Sequence, residues 1–124
     1  MSSPEFQWRK SHIWPTHLPR MVTGCTWGHY HQPSDPAAFH QYYFSKHVPL
    51  AKTIPGLLSY EVSQGDVLGM QGKHAAYLVA TLEFASTEAI AAAMSSPEGQ
   101  ATAADIANFA SGGVDIMFSE VRRV

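Results

Sequence analysis

Between residues 36 and 50, apolar and aromatic side chains recur at steps of three and four, which is the spacing of an amphipathic helix. Asp35 can cap the first turn, and Pro36 suits the first helical position because its missing N–H has no partner there. Pro49 disfavours helical geometry at the residue before it, so the helix is predicted to end or kink beside His47. A titratable imidazole then lies on the buried stripe, whose members are Phe39, Tyr42, Tyr43, Lys46, His47 and Leu50.

The rest of the pattern predicts four strands and two further helical segments. Ser86 and Ser96 suit helix caps, and the second is followed by a proline, so helices are predicted over residues 86–94 and 97–109. A glycine-rich segment over residues 64–74 predicts a loop or a loose hairpin. The predicted strands cover residues 22–31, 57–63, 75–84 and 114–122. The resulting order, β-α-β-β-α-β, is the ferredoxin-like arrangement of an α+β domain.

This arrangement covers only one face of the sheet with helices. The other face is expected to carry Leu, Val, Ile or Met side chains from several strands, and no further segment of the domain remains to cover it. A second copy of the same sheet is the simplest cover, so we expect a homodimer joined through the sheets.

Residues 1–20 show neither helical nor strand periodicity, and Pro4, Pro15 and Pro19 interrupt them. We predict that they form a leader or arm outside the domain, either native or appended. The domain itself is then expected to cover residues 21–124.

Several motifs together resemble the EthD family. The helix and the strand after it carry F-x-x-Y-Y-x-x-x-H-V-P-L-A followed by P-G-L-x-x-Y-E-V, and later segments carry LEFAS, SPEG and DIANFA. The resemblance covers roughly residues 21–124. It implies a small dimeric α+β barrel in which two sheets close on each other, and the family's histidine matches His47.

Bulk composition narrows the class of protein. The chain has 124 residues, 45% hydrophobic and 15% charged, which fits one globular domain. The net charge of −2 argues against general nucleic-acid binding. Cys25 is the single cysteine, which excludes an internal disulfide or a cysteine-based zinc finger and favours a reducing, cytoplasmic setting. No apolar run approaches the ~20 residues of a membrane span, so no membrane partner is expected.

His47 and Tyr43 are the candidate catalytic residues. An imidazole titrates near neutral pH and can act as a general acid or base, and Tyr43 lies one turn earlier on the same stripe. The alternative for His47 is a structural histidine that is bonded to a backbone carbonyl. We predict a mostly apolar pocket between the first helix and the sheet, with His47 reaching it. The candidate ligand-contacting residues are Trp27, His29, Tyr60 and Tyr77. In a regular strand, Tyr77 and Phe84 point to opposite faces, so only one of them can line the pocket. We choose Tyr77 because its phenol can form a hydrogen bond to a ligand.

A metal site is the less favoured hypothesis. His29 and His31 point the same way on a strand and could join His47 as three ligands, but no carboxylate lies at motif spacing. Asp105 and Asn108 are three residues apart in the last helix and could face inward, although exposure on the helix surface is the more common outcome. The sequence contains no nucleotide, flavin or zinc-protease motif, so we predict neither metal nor cofactor.

Two functions remain open. The first is a cofactor-independent enzyme that uses acid/base chemistry on a hydrophobic, aromatic or polyketide-like substrate. The EthD resemblance implies relatives of the cyclase, isomerase, decarboxylase and oxygenase types. The second is a non-catalytic accessory protein or small-molecule carrier of a degradation pathway that uses the same pocket.

Overall fold

The computed structural model describes residues 21–124, and the predicted leader, residues 1–20, lies outside the described residues. Six strands follow one another along the chain: β1 Val22–Tyr30, β2 Ser59–Val62, β3 Val67–Leu68, β4 His74–Ala76, β5 Leu78–Phe84 and β6 Val114–Arg122. The helices are α1 Pro36–Tyr42, a π-helical turn Tyr43–His47, α2 Val48–Ala51, α3 Thr87–Ser95, α4 Pro97–Asp105 and a 3-10 turn Ile106–Asn108.

Four strands form an antiparallel sheet in the order β2–β5–β1–β6. Taken in chain order, the main strands and the two helical regions give the predicted ferredoxin-like α+β fold. The predicted glycine-rich loop contains a small separate hairpin, formed by β3 and β4. None of the helices in the described range is both long and apolar enough to cross a membrane.

The helix does not end beside His47, which was one of the two outcomes predicted from Pro49. The chain remains helical through His47 to Ala51, but Tyr43–His47 is a widened turn in which the N–H of Val48 donates to the carbonyl of Tyr43. Pro49 supplies no N–H for an α-helical bond, so the helix is locally widened rather than ended.

The predicted helix starts are confirmed. Asp35 accepts a hydrogen bond from the N–H of Ala38 at 3.1 Å, and Pro36 follows it at the first helical position. Ser86 caps α3, and Ser96 caps α4 through the N–H of Gly99 at 3.0 Å. Each cap satisfies an N–H that the helix itself cannot pair.

The helices cover one face of the sheet with two apolar clusters. The first cluster contains Tyr30, Phe39, Tyr43, Leu78, Ala80 and Phe109. The second contains Ala51, Ile54, Phe84, Ile90 and Ala93. Tyr60 and Leu82 are partly buried and pack against both clusters. Since Tyr30, Leu78 and Phe84 face the helices, strand alternation gives the helix-facing side of every strand.

Two glycines of β1 lie on this helix-facing side and differ in their surroundings. A Cβ on Gly24 would lie 2.6 Å from the backbone of Ser86, where α3 begins, whereas a Cβ on Gly28 would meet its first neighbour, the ring of Tyr30, at 3.4 Å. The approach of α3 to the sheet therefore depends on Gly24.

We expect Gly24→Ala to lower the free energy of unfolding by roughly 1–3 kcal/mol, because the added methyl group meets backbone that cannot move aside. Gly28→Ala is the matched control and should stay within about 1 kcal/mol of the wild type. Urea denaturation measures both. Equal stability of the two variants would contradict the packing described here.

Candidate active site

The widened turn places two side chains in the core. Tyr43 and His47 are 0% and 3% exposed, and their rings lie 5.3 Å apart. The ring of Phe109, from the far end of the chain, packs 4.7 Å from His47. A π-helical turn adds a residue to the helical repeat and is frequent at functional sites. The imidazole is therefore held by aromatic packing on the inner side of the helix.

Asp105 is the hydrogen-bond partner of His47. Its Oδ2 lies 2.9 Å from Nδ1 of His47, and the two side chains are 12% and 4% exposed. Its other oxygen, Oδ1, accepts from the hydroxyl of Tyr42 at 2.6 Å and from the amide of Asn108 at 3.0 Å. One carboxylate thus joins the first helical region to the end of α4 and orients the imidazole.

The electrostatics of this network determine which histidine nitrogen carries the proton. Burial raises the pKa of Asp105, but the hydrogen bonds from Tyr42, Asn108 and His47 outweigh it, so the pKa lies below its usual value. An ionised carboxylate can only accept hydrogen bonds, so Nδ1 of His47 donates. Nε2 is then the ring nitrogen with a lone pair.

Burial lowers the pKa of His47, and the hydrogen bond and charge of Asp105 offset only part of this effect. The imidazole is therefore neutral at pH 7. A neutral, oriented imidazole with its lone pair on Nε2 has the properties of a general base.

Tyr43 and Tyr60 form a second polar contact nearby. Their hydroxyl oxygens lie 2.6 Å apart, so one hydroxyl donates to the other. Burial raises the pKa of both phenols, which keeps both protonated at neutral pH. The hydroxyl that accepts still has its own proton, which it can donate to a third group.

The structure brings together only some of the predicted site residues. His47, Tyr43 and Tyr60 are adjacent through the contacts described above. In β1, Tyr30 faces the helices, so Trp27 and His29 point to the opposite face of the sheet by alternation. The structure therefore separates these two residues from His47.

The predicted opposite parity of Tyr77 and Phe84 is wrong. The predicted strand over residues 75–84 is broken at Tyr77, between β4 and β5, so strand parity does not apply there. Its ring contacts Phe39 edge-on with centroids 5.1 Å apart, on the helix side of the sheet. Phe84 is on the same side but belongs to the second apolar cluster.

A groove of about 690 Å³ lies between α1 and the β3–β4 hairpin. His40 and Phe44 contribute from the helical side, Val62 and His74 contribute from strands, and Tyr77 contributes from the break between β4 and β5. His47 is not one of its lining residues. The predicted pocket between helix and sheet with His47 reaching it thus does not correspond to this groove.

The histidines considered as metal ligands do not cluster. His31 is exposed and pairs with Asp115 of β6, with Nε2 and Oδ2 2.8 Å apart. Across residues 21–124, no three histidine, cysteine, aspartate or glutamate side chains are grouped so as to hold a metal ion.

Sequence reasoning missed the roles of Asp105, Asn108 and Tyr42. Asp105 lies against the first helical region, where it bonds to Tyr42 and His47, whereas Asn108 is exposed on the surface and donates to Asp105. The available signal was their spacing of three residues, which predicts that they share a helix face. It does not indicate which element lies opposite.

Comparisons with known proteins place the chain in a family. A sequence profile of the EthD domain matches residues 31–113. The chain belongs to the EthD family. An uncharacterised 11.0 kDa protein encoded between thcB and thcC of Rhodococcus erythropolis is 45% identical over 95 residues, covering 77% of this chain and 91% of that protein.

Solved structures agree with this assignment. A crystal structure of an EthD family protein from Bacillus halodurans is 31% identical, with a TM-score of 0.72 over 78% of this chain and 96% of the other. The hydroxynitrile lyase of Passiflora edulis is 12% identical, with a TM-score of 0.63 over 86% and 98% of the two chains. This second likeness shows the fold alone. The EthD chain described here thus has the α+β fold that these structures share.

The lowered pKa of His47 predicts a pH-dependent contribution to stability. The unfolded chain binds the proton at its ordinary pKa of 6.5, and the folded chain binds it only at lower pH. The stabilising contribution is therefore fully present above pH 6.5 and is lost as pH falls from 6.5 through the lower pKa of the folded protein. We expect the wild type to lose more stability than His47→Gln between pH 7.5 and 5.5, as measured by urea denaturation. Equal losses would show that His47 has no lowered pKa.

Proposed function

We propose that this EthD family protein binds a hydrophobic, oxygen-bearing small molecule and acts on it by acid/base chemistry without a bound cofactor. The observation that carries the proposal is the 2.9 Å contact between Nδ1 of His47 and Oδ2 of Asp105 in a buried aromatic setting. Reaction types consistent with it are those of a cyclase, isomerase, decarboxylase or oxygenase. A cytoplasmic location, which fits the single free cysteine, is part of the proposal.

The elementary step assigned to this site is proton abstraction next to a carbonyl or phenol. Nε2 of His47 takes the proton of an acidic C–H bond, and the electron pair of that bond moves toward the oxygen to form an enolate. The resulting imidazolium is stabilised by the carboxylate of Asp105. Return of the proton to a different carbon atom completes an isomerisation. The hydroxyl pair of Tyr43 and Tyr60 can donate a hydrogen bond to the developing negative charge.

The second candidate function is an accessory or carrier protein without turnover. It is favoured by one observation, the groove between α1 and the hairpin, whose lining does not include His47. A groove of about 690 Å³ has the size of an ordinary small-molecule site. Under this alternative, the His47–Asp105 pair connects the two helical regions and has a structural role.

A substitution at His47 distinguishes the two functions. We expect His47→Asn to keep a side-chain N–H near the position of Nδ1, and therefore the bond to Asp105, while removing Nε2. Exchange of the acidic C–H of 2-tetralone for deuterium in D₂O, followed by NMR, should slow by at least the ~100-fold typical of a lost general base.

The control for this experiment is His31→Asn, which removes an exposed imidazole. This variant should catalyse the deuterium exchange of 2-tetralone at the wild-type rate. Wild-type exchange in His47→Asn, with the fold intact by circular dichroism, would overturn the enzymatic proposal. The carrier function would then be the better account.

We also propose that the chain forms a homodimer through the face of the sheet opposite the helices. Strand alternation places apolar side chains on that face, among polar ones: Trp27, Val79, Met117 and Val121. The exposed residues Ile116 and Phe118 lie instead on the helix-facing side of β6. An obligate interface of this type buries on the order of 2,000 Å² in total.

Sedimentation equilibrium at low micromolar concentration should give twice the 13.6 kDa chain mass. Trp27→Glu should dissociate the dimer because it buries a carboxylate at the centre of the interface. Ala91→Glu changes the charge on the exposed side of α3 and should leave the dimer intact. A folded wild-type monomer at this concentration would contradict the proposal.

A further inference from the structure

One row of side chains crosses the whole sheet on its helix-facing side. Thr26 of β1 lies directly opposite Leu82 of β5 on one side and Phe118 of β6 on the other. Leu82 in turn lies opposite Tyr60 of β2. Directly paired residues of antiparallel strands point to the same face. The row is therefore Tyr60–Leu82–Thr26–Phe118, and the hydroxyl of Tyr60 is the one bonded to Tyr43.

This row lies where the two apolar clusters meet. Tyr60 and Leu82 pack against both clusters. On either side of Thr26 along β1, the helix-facing positions are Gly24 and Gly28, which have no side chain. Phe118 at the end of the row is 62% exposed, so the row runs from the protein interior to an open edge of the sheet.

A purely structural role for this row does not explain the side-chain oxygen of Thr26. Within residues 21–124, Oγ1 of Thr26 is a fully buried side-chain oxygen without a hydrogen-bond partner. Such a group costs free energy, and most buried polar groups in proteins are paired. The same position filled by valine would have the same shape without this cost. The hydroxyl therefore has a hydrogen-bonding capacity that residues 21–124 do not satisfy.

We infer that Thr26 donates a hydrogen bond to a carbonyl or phenolic oxygen of the bound small molecule. This inference rests on the proposed function and assigns the ligand to the row on the helix-facing side. β1 and β2 are two strand spacings apart, about 9.5 Å. A flat two-ring ligand that enters beside the exposed Phe118 and displaces the side chains packed over Leu82 would place an oxygen at Thr26 and its far end near Tyr60 and Tyr43. The ligand class is thus a fused-ring ketone or phenol.

The test uses two probes that differ by one oxygen, 2-tetralone and its hydrocarbon counterpart tetralin. Binding is measured by isothermal titration calorimetry on the full chain. We expect the wild type to bind 2-tetralone about tenfold more tightly than tetralin, which corresponds to one hydrogen bond. Thr26→Val should remove this difference in affinity without weakening the binding of tetralin. Thr26→Ser keeps the hydroxyl and should retain the difference.

A second measurement needs no ligand. Thr26→Val should raise the midpoint of thermal unfolding by about 4 °C, because it removes a buried hydroxyl without a partner. A lowered midpoint would show that the hydroxyl is satisfied within the protein and would overturn the inference.

The remaining outcomes separate this inference from the proposed function. If the Thr26→Val variant still binds 2-tetralone more tightly than tetralin, Thr26 is not the donor, but the proposed small-molecule binding stands. If neither probe binds to the wild type, both the ligand assignment and the proposed binding function fail.

Discussion

The hydrogen bond between His47 and Asp105 is the interaction on which the site depends. It joins two helical regions that are 58 residues apart in the chain, and it does so at a position with almost no solvent. Without it, the imidazole would have no fixed tautomer. With it, the lone pair lies on Nε2, and burial keeps the ring neutral at pH 7. The fold thereby holds a neutral imidazole whose orientation is set by the carboxylate of Asp105.

The widened helical turn and the sheet determine what surrounds this base. The π-helical turn places both Tyr43 and His47 on the inner side of the helix, and Phe109 packs against the imidazole. Tyr60 reaches the same region from β2 through its hydroxyl contact with Tyr43. The His47–Asp105 pair thus lies beside two neutral hydroxyl groups, one from the helical turn and one from the sheet. This arrangement suits a reaction in which a proton leaves carbon while charge develops on oxygen.

Local patterns in the sequence predict the elements better than the contacts between them. Capping chemistry predicts the helix starts at Asp35, Ser86 and Ser96. Periodicity predicts the order of strands and helices along the chain. The partner of His47 does not, because the position of α4 across from the first helix depends on tertiary packing. The strand break that turns Tyr77 toward Phe39 is likewise invisible in a run of strand-forming residues.

The most direct test of this account is nitrogen-15 NMR of the His47 imidazole across a pH titration. The account predicts a neutral ring protonated on Nδ1, with an unprotonated Nε2, and a pKa below the ordinary 6.5. Substitution of Asp105 by asparagine should change the tautomer signal, because the carboxylate that requires an Nδ1 donor is gone. A ring protonated on Nε2 in the wild type, or a pKa above 6.5, would contradict the assignment of His47 as an oriented general base.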